Sequence, residues 1–193
     1  MSSSAKGPKD NDFTIRIANV NGTGSASANA MLMKALFRMG IPVCGKNYFP
    51  SNIQGLPTWY EIRASGHGHL ARSGRVDVMV AMNAETYARD HACVAPGGYL
   101  IYDSTWPRSQ LFNRTDIHVI GVPLSHICNE NFAQARSRIL MKNIMYVGVL
   151  AALLDMDMQV IKGLLNEQFK AKASLLDANQ KSIDLGHAWA REN

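Results

Sequence analysis

Residues 13–40 constrain the fold most, because a strand, a tight turn and a helix follow one another within them. Apolar residues alternate from Phe13 to Ile17, which predicts a buried strand. A turn with two glycines follows, and apolar residues then recur between Met31 and Met39 at the spacing of one helix face. Gly40 ends the helix, with a proline two residues beyond it, as is usual at a helix C-terminus. This unit predicts an α/β fold.

The turn between this strand and helix has the composition of an anion site. Gly22 and Gly24 would allow a tight turn and let a phosphate approach the backbone. The helix N-terminus adds exposed N–H groups and the positive end of the helix dipole, and one of the serines could cap the helix. Glycine- and serine-rich turns also join strands to helices where nothing binds, so a phosphate site and a plain connection both stay open. The side chains that could add donors are those of Thr23, Ser25, Ser27 and Asn29.

A dinucleotide site matches the turn less well. Ser27 occupies the place of the third glycine in the dinucleotide fingerprint, and the acidic residue expected after the second strand is replaced by Lys46 and Asn47. If a nucleotide binds, a phosphate on its ribose would suit Lys46 better than a free hydroxyl.

The composition is that of one ordinary globular domain. The chain has 193 residues, of which 47% are hydrophobic and 18% charged. Residues 1–12 are polar and are expected to form a flexible tail, which leaves residues 13–193 as a single domain. The longest uncharged apolar run, residues 144–154, is shorter than the roughly 20 residues that cross a membrane, so no membrane association is expected. Three widely separated cysteines predict neither a disulfide framework nor a metal cluster, and a cytoplasmic location is expected.

The formal charge of +5 favours anionic partners in general. No basic run is interleaved with aromatic residues, so no nucleic-acid partner is expected. Arg72 and Arg75 form a small basic cluster, for which a solvated loop and a contact to an anion both stay open. His67 and His69 are interpreted as surface turn residues, because no third metal ligand lies near them in the sequence.

The segment after the first helix predicts a short strand at residues 41–44 and an irregular loop at residues 45–57. The loop is rich in Pro, Gly and Asn, and loops of this kind are often functional. A half-buried strand is expected at residues 58–64, followed by a hairpin turn at residues 65–68 that returns to Ala71. The loop side chains suited to reading a polar ligand are those of Asn47, Ser51, Asn52 and Gln54.

Three further buried strands are predicted at residues 76–82, 99–102 and 117–122. Asn83 is expected to cap a helix that runs to about His91, and residues 96–98 are expected to form a turn. Ligands of open α/β sheets lie beyond the carboxyl ends of the strands. Residues 19–24, Asn83 and residues 103–105 are therefore expected on one rim of the sheet.

The rest of the chain predicts helices at about residues 132–154, 158–169 and 173–189. Together these elements predict a Rossmann-like three-layer α/β domain. Its sheet is expected to be mixed and mostly parallel, with a β-hairpin, and its C-terminal part is expected to be helical.

Several of these segments resemble the gamma domain of 2-oxoacid:ferredoxin oxidoreductases, and the resemblance covers nearly all of residues 12–193. The nearest form is the gamma domain fused to the front of the alpha subunit in 2-oxoglutarate-type enzymes. The matching strings are VNGTGSASANAMLMKALFRMGIPV, GKNYFPSNIQGLPTWYEIRAS, RVDVMVAMNAETYARD, PGGYLIYDSTWP and MKNIMYVGVLAALLDMD.

The resemblance implies a component of an enzyme that oxidatively decarboxylates a 2-oxoacid, here 2-oxoglutarate, to an acyl-CoA and passes electrons to ferredoxin. In that family the gamma domain lies against the alpha and beta subunits and helps to hold coenzyme A. Thiamine diphosphate, Mg²⁺ and a 4Fe–4S iron–sulfur cluster are held by the partner subunits. The chain alone is therefore expected to be inactive, whether it is a free-standing subunit or part of a fused chain.

The resemblance also implies roles for particular residues. The glycine turn from Gly22 to Asn29 corresponds to the segment near the coenzyme A phosphates, while Asn52, Gln54 and Gly55 are expected to line the passage toward the thiamine site. Two other functions stay open, namely a nucleotide-binding module that uses Lys46 and a structural subunit whose glycine turn is only a turn.

Overall fold

The computed structural model describes residues 11–49, 56–108 and 113–193. It contains a six-stranded sheet with helices on both faces. The strands are β1 (Asp12–Val20), β2 (Val43–Tyr48), β3 (Pro57–Ser65), β4 (Val76–Ala81), β5 (Val94–Asp103) and β6 (His118–Val122). The helices are α1 (Ser25–Arg38), α2 (Tyr87–Cys93), α3 (Leu124–Asn131), α4 (Ala135–Leu153), α5 (Met158–Phe169) and α6 (Ala173–Glu192).

The sheet is mixed and mostly parallel, as the sequence predicts. Its strand order is β2-β3-β1-β4-β5-β6. The pairs β1–β4, β4–β5 and β5–β6 are parallel, whereas β3 is antiparallel to both β1 and β2. β3 is therefore the one reversed strand of this sheet, and β2 runs in the same direction as β1.

The two faces of the sheet are covered differently. Ile15 and Ile17 belong to the main core, to which α1, α4, α5 and α6 contribute. Ala18 and Met79 belong to a smaller core on the other face, where α2 packs against β4 and β5. Side chains alternate along a strand, so Arg16 lies on the same face as Ala18. On this face the β2, β3 and β1 part of the sheet carries polar and aromatic side chains.

Helices α4 and α6 approach each other closely enough for their backbones to touch. A Cβ atom added at Gly148 would overlap the carbonyl oxygen of Ile183, and one added at Gly186 would overlap the carbonyl oxygen of Met145. Each helix thus presents a glycine to the backbone of the other. This contact brings α6 against a helix that is itself buried along most of its length.

The predicted end of the second strand is wrong. We expected a strand at residues 41–44 and an irregular loop from residue 45, but β2 continues to Tyr48. Four of its six residues are exposed, so the strand lacks the alternation that burial imposes. Pairing with β3, through Lys46 opposite Glu61 and Tyr48 opposite Trp59, defines it instead.

The predicted hairpin at residues 65–71 is also wrong. The turn itself exists, since the N–H of Gly68 donates to the carbonyl oxygen of Ser65 at 3.0 Å. No strand follows it within residues 66–75. The reason is that β3 is already paired on both sides, with β1 and β2, so a returning segment finds no free edge. The hairpin of this fold is instead β2–β3.

Other boundaries differ more modestly. The turn expected at residues 96–98 lies inside β5, where the pairing with β4 shifts between Val76 opposite Val94 and Val78 opposite Tyr99. Helix α3 was not predicted. Strand β1 begins at Asp12, the last residue of the predicted tail, and the rest of that prediction falls outside the described residues except for Asn11.

The predicted cap at Asn83 is confirmed. Its Oδ1 accepts a hydrogen bond from the N–H of Glu85 at 3.1 Å. The cap opens a short 3₁₀ turn, Ala84–Thr86, and α2 follows directly. Among the helices of the described ranges, none is long and apolar enough to cross a membrane.

We predict that Gly148→Ala and Gly186→Ala each destabilise the protein by at least about 2 kcal/mol, because the new methyl group would force two helix backbones apart. Urea unfolding followed by circular dichroism measures this. Gly163→Ala is the matched control, since nothing lies within 4 Å of a Cβ at that helical position. The control should be about 0.5–1 kcal/mol more stable than the parent, as expected for Gly to Ala in a helix. Equal stabilities for all three variants would contradict the close contact.

Candidate functional site

The predicted rim exists at the carboxyl edge of the parallel strands. The glycine turn follows β1, Asn83 follows β4 and Asp103 ends β5. Because these strands are parallel neighbours, their carboxyl ends meet at one edge of the sheet. The connection between β2 and β3 starts and ends at the same edge, since Val20 at the end of β1 pairs with Pro57 at the start of β3.

The glycine turn leads into α1 without a side-chain cap. Gly22 has φ 87° and Gly24 has φ 80°, a region that side chains strongly disfavour. Gly24 is the N-cap residue and Ser25 the first residue of the helix. The expected serine cap is therefore wrong. Since the first N–H groups of a helix have no partner within it, this N-terminus keeps its capacity to bind an anion.

Most predicted side-chain donors of the turn point into the protein. The hydroxyl of Thr23 has two acceptors within reach, Asn19 Oδ1 at 3.0 Å and the carbonyl oxygen of Val20 at 2.8 Å, and shares its one hydrogen between them. Asn29 is buried, and its Oδ1 accepts a hydrogen bond of 2.7 Å from the hydroxyl of Tyr146. Burial raises the pKa of Tyr146, which keeps this donor protonated.

Ser25 is buried as well, whereas Ser27 is exposed. Of the four side chains that could contact a ligand, those of Ser25 and Asn29 are buried, that of Thr23 is half-buried and that of Ser27 is exposed.

A buried asparagine of α4 holds the turn in place. Asn19 Nδ2 donates to Asn143 Oδ1 at 3.1 Å, and Asn143 Nδ2 donates to the carbonyl oxygen of Thr23 at 2.8 Å. Asn143 is a polar residue among the mostly apolar buried residues of α4, and these bonds explain it. Leu140, one turn earlier, lies so close to Gly24 that a Cβ there would overlap its side chain.

The connection between β2 and β3 is hydrogen-bonded to the glycine turn at its C-terminal end. The N–H of Asn21 donates to the carbonyl oxygen of Leu56 at 3.2 Å. Asn52, Gln54 and Gly55 themselves lie outside the described residues, so their expected roles stay predictions.

Lys46 is not placed as a dinucleotide site would require. In a dinucleotide fold the second strand lies directly beside the first. Here β3 separates β2 from β1, which sets Lys46 two strand spacings, about 10 Å, from β1. Its ammonium group instead lies 5.4 Å from the centre of the Tyr48 ring.

A second polar cluster at this edge joins Asp103 and Thr105 of the predicted rim to Ser125 and Lys142, which were not predicted there. The buried carboxylate of Asp103 accepts hydrogen bonds from the N–H (3.2 Å) and the hydroxyl (2.5 Å) of Ser125 and from the hydroxyl of Thr105 (2.7 Å). Lys142 lies 3.6 Å from it. These groups satisfy one another at the start of α3. Cys128 behind them is no nucleophile, because burial raises the pKa of its thiol to about 11.

His67 and His69 lie at the surface, as expected. Their ring centres are 6.2 Å apart. Across residues 11–49, 56–108 and 113–193, no group of three or more His, Cys, Asp or Glu side chains is placed to hold a metal ion.

We predict that Asn143→Ala destabilises the protein by about 2–4 kcal/mol, because the Asn19 amide and the Thr23 carbonyl would each lose a buried partner. Thermal unfolding followed by circular dichroism measures the change. The exposed Asn166→Ala in α5 is the control and should stay within about 0.5 kcal/mol of the parent. A variant at position 143 as stable as this control would show that other contacts hold the turn.

Comparison with known proteins identifies the family. The sequence profile of the family described as pyruvate ferredoxin/flavodoxin oxidoreductase matches residues 14–189. The chain is 32% identical over 92 residues to subunit alpha of 2-oxoacid:ferredoxin oxidoreductase 2 from Aeropyrum pernix, a match that covers 48% of this chain and 14% of that protein. It is 29% identical over 118 residues to ketoisovalerate oxidoreductase subunit VorA from Methanothermobacter thermautotrophicus, covering 61% and 23% respectively. The chain thus matches less than a quarter of the length of these curated relatives.

Solved structures agree with this assignment. 2-Oxoglutarate:ferredoxin oxidoreductase from Magnetococcus marinus, determined with 2-oxoglutarate, coenzyme A and succinyl-CoA bound, has a TM-score of 0.84 at 25% identity, over 96% of this chain and 32% of that one. Pyruvate oxidoreductase subunit PORC from Thermotoga maritima has the same fold, with a TM-score of 0.75 at 17% identity over 93% and 97% of the two chains. The resemblance noted in the sequence is confirmed: the chain belongs to the pyruvate ferredoxin/flavodoxin oxidoreductase family.

Proposed function

We propose that this chain is the gamma component of a thiamine-dependent 2-oxoacid:ferredoxin oxidoreductase that acts on 2-oxoglutarate, and that it helps to bind coenzyme A. The likeness to the Magnetococcus enzyme over almost the whole chain is the observation that carries the proposal. The part matched here is 32% of that enzyme's chain, which leaves most of the enzyme to other domains and subunits. We assign thiamine diphosphate, Mg²⁺ and the iron–sulfur cluster to the alpha and beta partners, from which ferredoxin takes the electrons.

The glycine turn is the proposed site for the coenzyme A phosphates. Three features support it: an uncapped helix N-terminus, exposed backbone at Gly22 and Gly24, and no acidic residue in the first turn of α1. Unpaired N–H groups and the helix dipole both favour a phosphate there, and no carboxylate of that turn competes with it.

The side chains of the turn divide into two roles in this proposal. Ser27 is exposed and offers its hydroxyl to the ligand. Thr23, Ser25 and Asn29 shape the turn from inside, because they are buried or bonded within the protein.

Asn52, Gln54 and Gly55 are proposed to line the passage toward the thiamine site. The hydrogen bond between Asn21 and Leu56 supports this, since it sets the end of their loop beside the turn.

We predict that Gly24→Val raises the KM for coenzyme A by at least about tenfold in the assembled enzyme. The valine would strain the left-handed backbone by about 1–2 kcal/mol and disturb the N–H groups that face the phosphate, each charge-assisted hydrogen bond being worth about 1.5–3 kcal/mol. Steady-state kinetics at saturating 2-oxoacid measure the change, and the KM for the 2-oxoacid should move little.

Gly40→Val controls for the backbone strain of this variant, while a side chain at Gly24 would in addition overlap Leu140. Gly40 lies at the other end of α1, with φ 83° and nothing within 4 Å of a Cβ. A valine at position 40 imposes the same backbone strain away from the proposed site, so the KM for coenzyme A should stay at the parent value. An unchanged KM in the Gly24 variant would leave the turn as a structural connection only.

The native assembly isolated through this chain is expected to contain thiamine diphosphate and an iron–sulfur cluster. It should reduce ferredoxin when 2-oxoglutarate and coenzyme A are both supplied. Mass spectrometry of the purified complex, with an assay that compares 2-oxoglutarate with pyruvate and 2-ketoisovalerate, measures both points. Faster turnover of another 2-oxoacid would overturn the substrate assignment, and isolation of the chain alone would overturn the assignment as an enzyme component.

A further inference from the structure

The face of the sheet opposite α1 contains a cavity that the proposed function does not use. It has a volume of about 340 Å³ and lies beside β1, β2 and β3. Ligand sites in proteins commonly have volumes of roughly 300–1,000 Å³. Three guanidinium groups and three aromatic rings line the cavity, those of Arg16, Arg72, Arg89, Tyr48, Phe49 and Trp59.

Two of the arginines are fixed by a single carboxylate. Glu61 is 5% exposed. Its Oε2 accepts hydrogen bonds from Arg16 Nη2 at 2.6 Å and from Arg16 Nε at 3.0 Å, and its Oε1 accepts from Arg72 Nε at 3.1 Å. One negative charge thus positions two positive ones, so this part of the cavity keeps a net positive charge.

The third arginine lies against a fixed aromatic ring. The guanidinium of Arg89 lies 4.4 Å from the centre of the Trp59 ring. The indole N–H of Trp59 donates to the buried carboxylate of Asp90 at 2.8 Å, which sets the orientation of the ring. Within the described part of the chain Arg89 forms no ion pair, so its charge is available to a ligand.

Arg72 and Arg75, for which the sequence left a solvated loop and an anion contact open, have different surroundings in the structure. Arg72 lines it, with its guanidinium 4.9 Å from the centre of the Tyr48 ring. Arg75 instead forms an ion pair with Asp77 at 2.5 Å. Both are more than half exposed. They therefore provide a test variant and a control within one short segment.

We propose that this cavity binds a nucleotide. Guanidinium groups bind phosphate oxygens in bidentate fashion. The ring of Phe49 is 64% exposed and offers a face on which a base stacks. A base carrying phosphates satisfies both kinds of group, whereas an acidic peptide would leave the aromatic walls without a planar partner. The nucleotide is a free one, because the proposed function already assigns the coenzyme A phosphates to the glycine turn.

Isothermal titration of the 193-residue chain with ADP tests the proposal. Arg72→Gln and Arg89→Gln should each weaken ADP binding by at least about tenfold, because each removes a charge-assisted contact to phosphate. Arg75→Gln should stay within about twofold of the parent. Thermal unfolding of every variant checks that it is folded. Because Arg72 and Arg89 are exposed, their substitution is expected to preserve the fold.

Titration with coenzyme A identifies the nucleotide. If Arg72→Gln weakens ADP binding and leaves coenzyme A binding unchanged, the ligand is a free nucleotide. If it weakens both equally, the cavity holds the nucleotide end of coenzyme A and the proposal of a free nucleotide is overturned. Binding of adenosine as tight as that of ADP, equal effects at Arg72 and Arg75, or loss of ADP binding in the Gly24 variant alone would each overturn the proposal. Binding of a poly-glutamate peptide in place of ADP would assign the face to an acidic protein partner and overturn it too.

Discussion

The buried side chain of Asn143 links helix α4 to the strand–turn–helix unit at the start of the domain. Its amide group is hydrogen-bonded to Asn19 at the end of β1 and to Thr23 in the glycine turn. A buried amide that loses its partners is costly, so α4 cannot shift along the sheet without breaking both bonds. The position of the turn therefore depends on a helix more than 100 residues away in the sequence.

The packing behind Asn143 makes that helix a rigid support. Gly148 and Gly186 allow α4 and α6 to meet backbone to backbone, which leaves little room for either helix to move. The side chains of Thr23 and Asn29 are hydrogen-bonded on this inner side, to Asn19 and to Tyr146. What remains for a ligand is the exposed hydroxyl of Ser27 and the backbone of the turn, whose N–H groups are the same for every residue. Such a site recognises charge and shape, and the specificity for a particular anionic molecule must come from the residues around it.

The features that depend on neighbouring residues could be predicted from the sequence. The β1–turn–α1 unit, the Asn83 cap and the helices α5 and α6 follow from local apolar spacing, from glycine at the turn and from a capping amide. The true hairpin could not be predicted, because β2 is defined by its pairing with β3 rather than by burial. For the same reason the cavity could not be predicted, although Arg72 was noted as part of a basic cluster. Arg16, Arg72 and Arg89 are distant in the sequence, and only the pairing of β1 with β3 and the position of α2 bring them together.

The reversed strand β3 has a consequence for how this edge can vary. In a purely parallel sheet β2 would be joined to its neighbour by a crossover, whose helix packs on the core and tolerates little change. Here the chain leaves Tyr48 and returns at Pro57 directly beside the end of β1. Connections of this kind accept insertions at small entropic cost, since each doubling of length costs only about 0.6 kcal/mol. A change in the length of this segment would therefore leave the core and the glycine turn the same.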